Sequence, residues 1–437
     1  MSIRMKNTIC SDILRAHAAE LADAEGLAPQ DIFAAVDAGT MVVLANPAHK
    51  GVIPTLIGQP AKVKVNANIG TSMLVTDVAM ELQKANMAKK AGAHALMDLS
   101  TAGDLTAIRR QILDAVDLPL GTVPLYAVAQ HHLAKGKDPS DFTEAEIIAE
   151  IAEQAAAGVD FMTLHCGVTR LGAELAAESG RITGIVSRGG SILGRWMRRH
   201  EAENPFLTHY DDILDICLAH NVTISLGDGL RPGCGADAGD AAQWEEVINL
   251  GRLARRAKER GVQVMIEGPG HVPLHLVQSQ VQGIKRLTDG APLYVLGPLT
   301  TDCAPGYDHI AGAIGGAMAA YFGADFLCYL TPAEHLTLPG PEDVWAGIKA
   351  SLVAAQSAET ALGRPAAVAR DLGMSKARAD LDWEAMAGFA LDPDLLRKRR
   401  AMHSKEKECA MCGALCAMRM MTGDSFACDA DQKDTSE

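Results

Sequence analysis

From about residue 61 onward the chain alternates short β-branched or apolar runs with longer Ala-, Leu-, Glu- and Lys-rich stretches of helical period. Eight runs read as strands: Val63–Val65, Ala95–Met97, Leu120–Val123, Phe161–Leu164, Val222–Leu226, Val262–Ile266, Leu293–Leu296 and Phe326–Tyr329. Asp77–Ala91, Glu144–Ala157, Tyr210–Ala219, Ala241–Glu259 and Leu276–Leu287 read as helices between them. A helix between two strands carries the chain back so that the strands lie parallel. Eight such units in one series predict a closed (β/α)8 barrel, of the TIM type, rather than an open sheet. The strand after His165 is delayed, which places extra residues in that loop. The uncharged stretch Ile310–Ala324 is too short to span a membrane and ends at Asp325, so it reads as a buried helix.

The flanks are different. Residues 1–60 read as helical and then irregular: Ser11–Ala24 is Ala- and Leu-rich, Pro29-Gln-Asp31 opens a second helix and Gly39 ends it. After about residue 350 the strand signal stops. Asp382–Gly388 and Pro393–Met402 read as helices, and Asp392 before Pro393 is a start signal. The acidic, polar end Asp429–Glu437 has the composition of a disordered tail. The expected organisation is an N-terminal region over 1–60, a barrel over 61–350 and a C-terminal helical segment over 351–437.

Composition limits the function classes. Hydrophobic residues make up 48% and charged residues 22%, as in an ordinary globular protein. A net charge of −14 argues against nucleic acid as the main partner and leaves room for a small phosphorylated ligand. The stretch Met1–Cys10 has no sustained apolar core, and ten cysteines in 437 residues are sparse for a secreted disulfide scaffold. Both features point to a reducing cytoplasm and away from membranes.

Cys409, Cys412 and Cys416 crowd the C-terminal end. Three thiolates this close can hold three irons of a cubane cluster and leave the fourth iron open to a small molecule, which makes radical chemistry a candidate. A zinc site completed by His403 or Cys428 is the main rival, because structural zinc takes four ligands; free thiols are the third reading. Cys166, Cys217, Cys234, Cys303 and Cys328 are scattered and read as small core or loop residues.

In such barrels the chemistry sits at the C-terminal ends of the strands. That rim is expected to carry Asn68, Asp98, Tyr126, His165, Asp228, Glu267, Tyr294 and His335. Any one of these can be a strand cap, but coincidence at nearly every strand is harder to accept. Ser187-Arg-Gly-Gly190 and Asp228-Gly-Leu-Arg-Pro-Gly233 pair a guanidinium with flexible backbone and suit phosphate. His271 and His335, beyond the sixth and eighth strands, suit a divalent metal; the alternative is hydrogen bonding within their loops.

These motifs are long enough to be specific. Lys64–Gly70, Met97–Ser100, Gly184–Gly190, Ser225–Gly233, Met265–His271, Leu296–Asp302, Pro305–His309 and Glu334–Leu336 resemble the phosphomethylpyrimidine synthase (ThiC) family of thiamine biosynthesis. The resemblance runs from about residue 60 to the cysteine cluster and implies a homodimer. By motif it implies ribotide contacts at Asn68, Met97, Tyr126, His165, Ser187, Arg188, Gly189, Asp228, Gly229, Leu230, Arg231, Glu267 and Tyr294. It also implies zinc at His271 and His335, and a 4Fe-4S cluster at Cys409, Cys412 and Cys416. The implied reaction uses S-adenosylmethionine and an electron donor such as flavodoxin or ferredoxin. It converts 5-aminoimidazole ribotide to 4-amino-5-hydroxymethyl-2-methylpyrimidine phosphate, formate and carbon monoxide, with Glu267 and His165 as candidate catalytic groups. Two departures stand out. Three residues separate Cys412 from Cys416 where longer members have four, and Cys166 stands where they tend to have Ala. The alternatives are a 5-hydroxybenzimidazole synthase acting on the same ribotide, a zinc-dependent barrel hydrolase and a non-enzymatic iron–sulfur carrier.

Overall fold

The computed structural model describes residues 6–409 and 411–422. Cys428 and the acidic end Asp429–Glu437 lie outside the described residues. The chain divides into two compact units, with the break between Leu362 and Gly363.

In the first unit eight parallel strands close a barrel in chain order. They are β3 (Lys64–Ile69), β4 (Ala95–Asp98), β5 (Leu120–Thr122), β6 (Phe161–Leu164), β7 (Thr223–Leu226), β8 (Val264–Gly268), β9 (Leu293–Leu296) and β10 (Phe326–Cys328). β10 pairs with both β9 and β3, and that pairing closes the ring. The (β/α)8 expectation therefore holds. The first and sixth strands begin later and run further toward the mouth than their apolar runs suggested, because polar residues inside the lumen continue the ladder.

Successive strand residues point to opposite faces. In β6, Phe161 and Thr163 face the lumen while Met162 and Leu164 pack outward in the buried core. The lower layer is apolar: the Phe161 and Phe326 rings meet edge to face with centroids 6.4 Å apart, and Tyr294 lies 4.5 Å from Phe326. Gly121 leaves space for the Phe161 ring, which a Cβ there would strike. The next layer up is polar, with Asn68, Thr163 and Glu267 facing the cavity above. The alternation thus produces a filled floor and a hydrogen-bonding mouth.

The N-terminal region holds three helices, Thr8–Ala16, Ala18–Glu25 and Pro29–Ala38. The stretch read as irregular contains a two-stranded antiparallel sheet, β1 (Val42–Leu44) with β2 (Thr55–Ile57). Three-residue strands separated by a ten-residue connection have too few residues to show a period. This sheet is tied to the strand starts: the Val43 amide donates to Gln263, and Asp160 accepts from the amides of Asn46 and Leu120. Asp308–Phe322 is a helix as expected, but only one face is buried; Ile310, Ile314 and Tyr321 are exposed. Its Gly- and Ala-rich side packs toward β9, β10 and the helix Pro341–Ala361, while Met318 and Phe322 lie against the core.

The second unit contains the helices Pro365–Ala379, Trp383–Phe389 and Pro393–Arg400, a cysteine loop, and the helix Ala417–Thr422. Asp382 and Asp392 cap their helices through their side chains. Among the described residues no helix is long and apolar enough to cross a membrane.

Candidate active site

A cavity of about 500 Å³ opens at the C-terminal end of the barrel. Asn68, Met97, Tyr126, His165, Asp228, Arg231, Glu267 and Tyr294 all line it, brought together from seven of the eight strands or the loops that follow them. Asp98 does not line it: its carboxylate accepts the Ser100 amide at 2.9 Å and closes the turn after β4.

The charge balance in the lumen is set by burial. Glu267 Oε1 accepts from Thr163 Oγ1 at 2.6 Å and Ser225 Oγ at 2.7 Å. Arg231 Nη1 donates to Asp228 Oδ1 at 2.9 Å. Burial pushes the Asp228 carboxyl up to about 7 against the pull of Arg231, and the charge of Glu267 pushes the same way. Burial raises Glu267 as well, although the Thr163 and Ser225 hydroxyls oppose it. Two carboxyls and one guanidinium thus share a low-dielectric space, and the Asp228 carboxyl is poised to exchange a proton near neutral pH. Burial lowers His165 to about 3, with the Arg231 charge adding to the effect. Its ring is therefore neutral and acts as a hydrogen-bonding wall rather than a proton store. His165 Nε2 lies 3.3 Å from Ser187 Oγ, which itself accepts the Gly190 amide.

Ser187 caps the helix Arg188–His200, so the first amides of that helix open beside His165. The guanidinium of Arg188 stacks over the Tyr126 ring, 4.7 Å from its centroid. Gly189 fits against the His165 ring so closely that a Cβ there would overlap it. The second phosphate-like stretch behaves differently. The Leu230 amide donates to Glu246 Oε2 at 2.8 Å. Leu230's side chain is fully buried. This amide is spent on an internal carboxyl and is not free for a ligand; of that loop, Arg231 and Asp228 reach the cavity.

A second cavity, of about 780 Å³, shares Asn68 and Leu99 with the first and extends past Arg188 and Thr331 to Glu334 and His335. The rings of His271 and His335 lie 5.4 Å apart. His271 Nδ1 meets Asp302 Oδ1 at 2.7 Å, and His335 Nδ1 is 3.6 Å from Asp308 Oδ1. A carboxylate on Nδ1 orients an imidazole and leaves Nε2 as the outward donor. His335 takes a left-handed φ of 61°, a costly conformation for a non-glycine residue, and keeps its ring beside that of His271.

In the second unit, one guanidinium organises the approach to the cysteines. Arg400 donates to the carbonyls of His403, Glu406 and Glu408 at 2.7, 2.6 and 3.1 Å and lies 4.0 Å from the Trp383 ring centroid. Trp383 Nε1 donates to the Lys407 carbonyl. Cys409 follows this clamped turn. Its thiol is held below the usual range because the Cys412 and Met411 amides point at its sulfur.

The sequence profile of the radical SAM ThiC family matches residues 6–423. This chain belongs to that family. The phosphomethylpyrimidine synthase of Syntrophus aciditrophicus strain SB is 50% identical over 401 residues, covering 91% of this chain and 94% of that protein. The one of Thermoanaerobacter sp. strain X514 is 48% identical, covering 92% of this chain and 94% of that one. The archaeal one of Methanocaldococcus jannaschii is 50% identical, covering 88% and 90%. ThiC membership makes the chain an enzyme and brings a 4Fe-4S cluster and S-adenosylmethionine as its cofactors. The cysteine loop suits the cluster: Cys409, Cys412 and Cys416 are free thiols, and backbone amides at Cys409 stabilise a thiolate, the form that binds iron.

ThiC motifs in the sequence located most of the cavity wall but not its supports. Thr163 and Ser225, which grip Glu267, looked like ordinary strand residues; inward placement by alternation was the available signal. Glu246 lies in a helix that reads as amphipathic and surface-facing, yet it is buried. Arg400 and Trp383 carried no spacing signal at all.

Proposed function

We propose that this chain converts 5-aminoimidazole ribotide to 4-amino-5-hydroxymethyl-2-methylpyrimidine phosphate, with release of formate and carbon monoxide, in the cytoplasmic pathway to thiamine. The observation that carries the reading is near-complete coverage, at about half identity, by relatives named for that synthesis. The cavity's pairing of a guanidinium with a buried and a half-buried carboxyl supports it.

When bound, the reduced cluster and S-adenosylmethionine supply the adenosyl radical that begins the rearrangement. The protein's residues bind and orient. Arg188, Arg231 and the amides at the start of the helix Arg188–His200 suit the ribotide phosphate. Glu267 and Asp228 suit the aminoimidazole: with its carboxyl pushed up to about 7, Asp228 can take up a proton or give one back where the ring changes charge, and Glu267 can hydrogen-bond the ring. Neutral His165 and the Tyr126 and Tyr294 rings wall the cavity against water. Asn68 and Met97 complete that wall. Cys409, Cys412 and Cys416 would hold the cluster. His271 and His335 would hold zinc, with Asp302 and Asp308 behind them. The polar second cavity suits the adenosyl group. The working assembly is a homodimer in which one subunit's cysteine segment covers the partner's barrel mouth, and flavodoxin or ferredoxin delivers the electron.

An anaerobic assay with the ribotide, S-adenosylmethionine and reductant, followed by mass analysis, tests this. The pyrimidine phosphate is the expected product. A product of 5-hydroxybenzimidazole mass, or no turnover by cluster-loaded protein, overturns the assignment.

A further inference from the structure

We propose that Glu246 is a positioning residue that holds the Asp228–Arg231 loop in its ligand-binding shape from behind. The inference rests on reading the cavity as the ribotide site. Glu246 projects from the helix Ala241–Arg260 and is 2% exposed. Its carboxyl accepts from the Leu230 amide at 2.8 Å and lies against the Gly229 backbone. No cation is paired with it among the described residues, and its Oε1 has no partner there. A carboxyl placed this way inside a protein is unusual unless something requires its acceptors.

The loop shows what requires them. Asp228 and Arg231 are its two ends, joined by the Arg231 amide to the Asp228 carbonyl at 3.2 Å and by their side-chain ion pair. Both ends line the cavity, while Gly229 and Leu230 between them do not. The middle is fixed on the opposite side. Glu246 takes the Leu230 amide, Arg181 Nη2 donates to the Leu230 carbonyl at 2.7 Å, and the Leu230 side chain is sealed in the core. Two glycines from different rim loops make the socket. A Cβ at Gly167 would lie 3.1 Å from Glu246 Cγ, and one at Gly229 would lie 3.3 Å from Glu246 Oε1 while striking Val168. Glu246 therefore fixes the height of the loop relative to the cavity, and with it the placement of Asp228 and Arg231 together. Burial and the nearby Asp228 charge raise its carboxyl well above the usual range.

The test compares Glu246→Gln, Glu246→Asp and Glu246→Ala with the wild-type chain. Gln keeps a neutral acceptor at the same reach, Asp withdraws it by one methylene, and Ala removes it. Calorimetric titration with 5-aminoimidazole ribotide should show Kd rising about tenfold or more for the Ala and Asp variants and staying near wild type for Gln, as a small loop displacement implies. KM should rise more than kcat falls. Hydrogen exchange read by mass spectrometry should be faster across residues 228–231 in the Ala and Asp variants but not in the Gln variant, with no ligand present. Asp keeps the barrel filled should Ala fail to fold. Wild-type ribotide affinity in a folded Ala or Asp variant overturns the inference, as does a Gln variant as impaired as Ala. If the wild-type chain itself binds no ribotide, the substrate reading fails, and hydrogen exchange still decides the role of Glu246.

Discussion

Replacing Asp228 by Asn tests the charge state of the lumen directly. In the folded chain burial pushes this carboxyl up to about 7, whereas an unfolded Asp titrates at about 3.9. The folded state therefore binds more protons between those values. Stability is greatest below the unfolded value and falls as pH rises through the folded one. Integrating over a separation of about 3 units, the wild-type chain should lose roughly 2 to 3 kcal/mol from this group between about pH 5 and pH 8. Asn cannot titrate, so Asp228→Asn should not show that loss. Removing the Asp228 charge also relieves Glu267, which flattens the variant's profile further. With unfolding entropy of about 2.1 cal/mol/K per residue over the 362 residues of the barrel unit, the difference corresponds to roughly 3 °C in Tm. Melting curves of both proteins at several pH values across that range, without ribotide, measure it. The variant should gain on the wild type as pH rises while losing ribotide affinity, because Arg231 no longer has its partner. Parallel profiles, or a variant that gains on lowering the pH, would refute the account of the acid pair.

Three further substitutions address separate parts of the site. Cys412→Ala should abolish the visible absorption of an anaerobically reconstituted cluster together with reductive cleavage of S-adenosylmethionine; a variant that keeps the absorption rejects the ligand assignment, and a colourless one that still cleaves rejects the cluster's role. His335→Ala should reduce bound zinc by about half or more, since two imidazoles are the protein ligands proposed; elemental analysis showing full occupancy removes that ligand. Gly189→Ala puts a Cβ onto the His165 ring and should cost about 1 to 3 kcal/mol with weakened ribotide binding, as overpacking at a rigid contact does; a melt and a binding curve like those of the wild type would show that the wall yields.

The barrel was legible because its signal is repetitive. Each strand's outward residues, such as Met162 and Leu164 or Ile224 and Leu226, are fully buried, and each helix shows its own period. Eight repetitions leave little freedom of topology. The β1–β2 sheet was not legible because its stability comes from elsewhere: Gln263 and Asp160, distant in sequence, satisfy the backbone groups around it. The helix Asp308–Phe322 shows the opposite difficulty. Absence of charge suggested full burial, but Gly and Ala make one side narrow enough to pack while Ile310, Ile314 and Tyr321 remain exposed.

The site divides along the same physical line. Residues whose chemistry is rare at their position, such as Glu267 in a strand or Arg231 between glycines, stand out from a sequence. Residues that work by completing another group's hydrogen bonds do not. Thr163 is a good strand former and Ser225 a small residue, and neither draws notice in a sheet. They matter because β7 lies between β6 and β8, so lumen-facing hydroxyls from two strands converge on one Glu267 oxygen. Glu246 is a good helix former and hides equally well in composition. Its effect appears once the helix after β7 is folded back beneath its own preceding loop, where a buried carboxyl meets the Leu230 amide. A binding loop whose middle is turned inward has given up direct backbone contact with its ligand there. In exchange it places two side chains at a fixed separation, and that arrangement makes the Asp228–Arg231 pair a unit: disturbing either residue, or the acceptor behind them, should change the binding of the same part of the ligand.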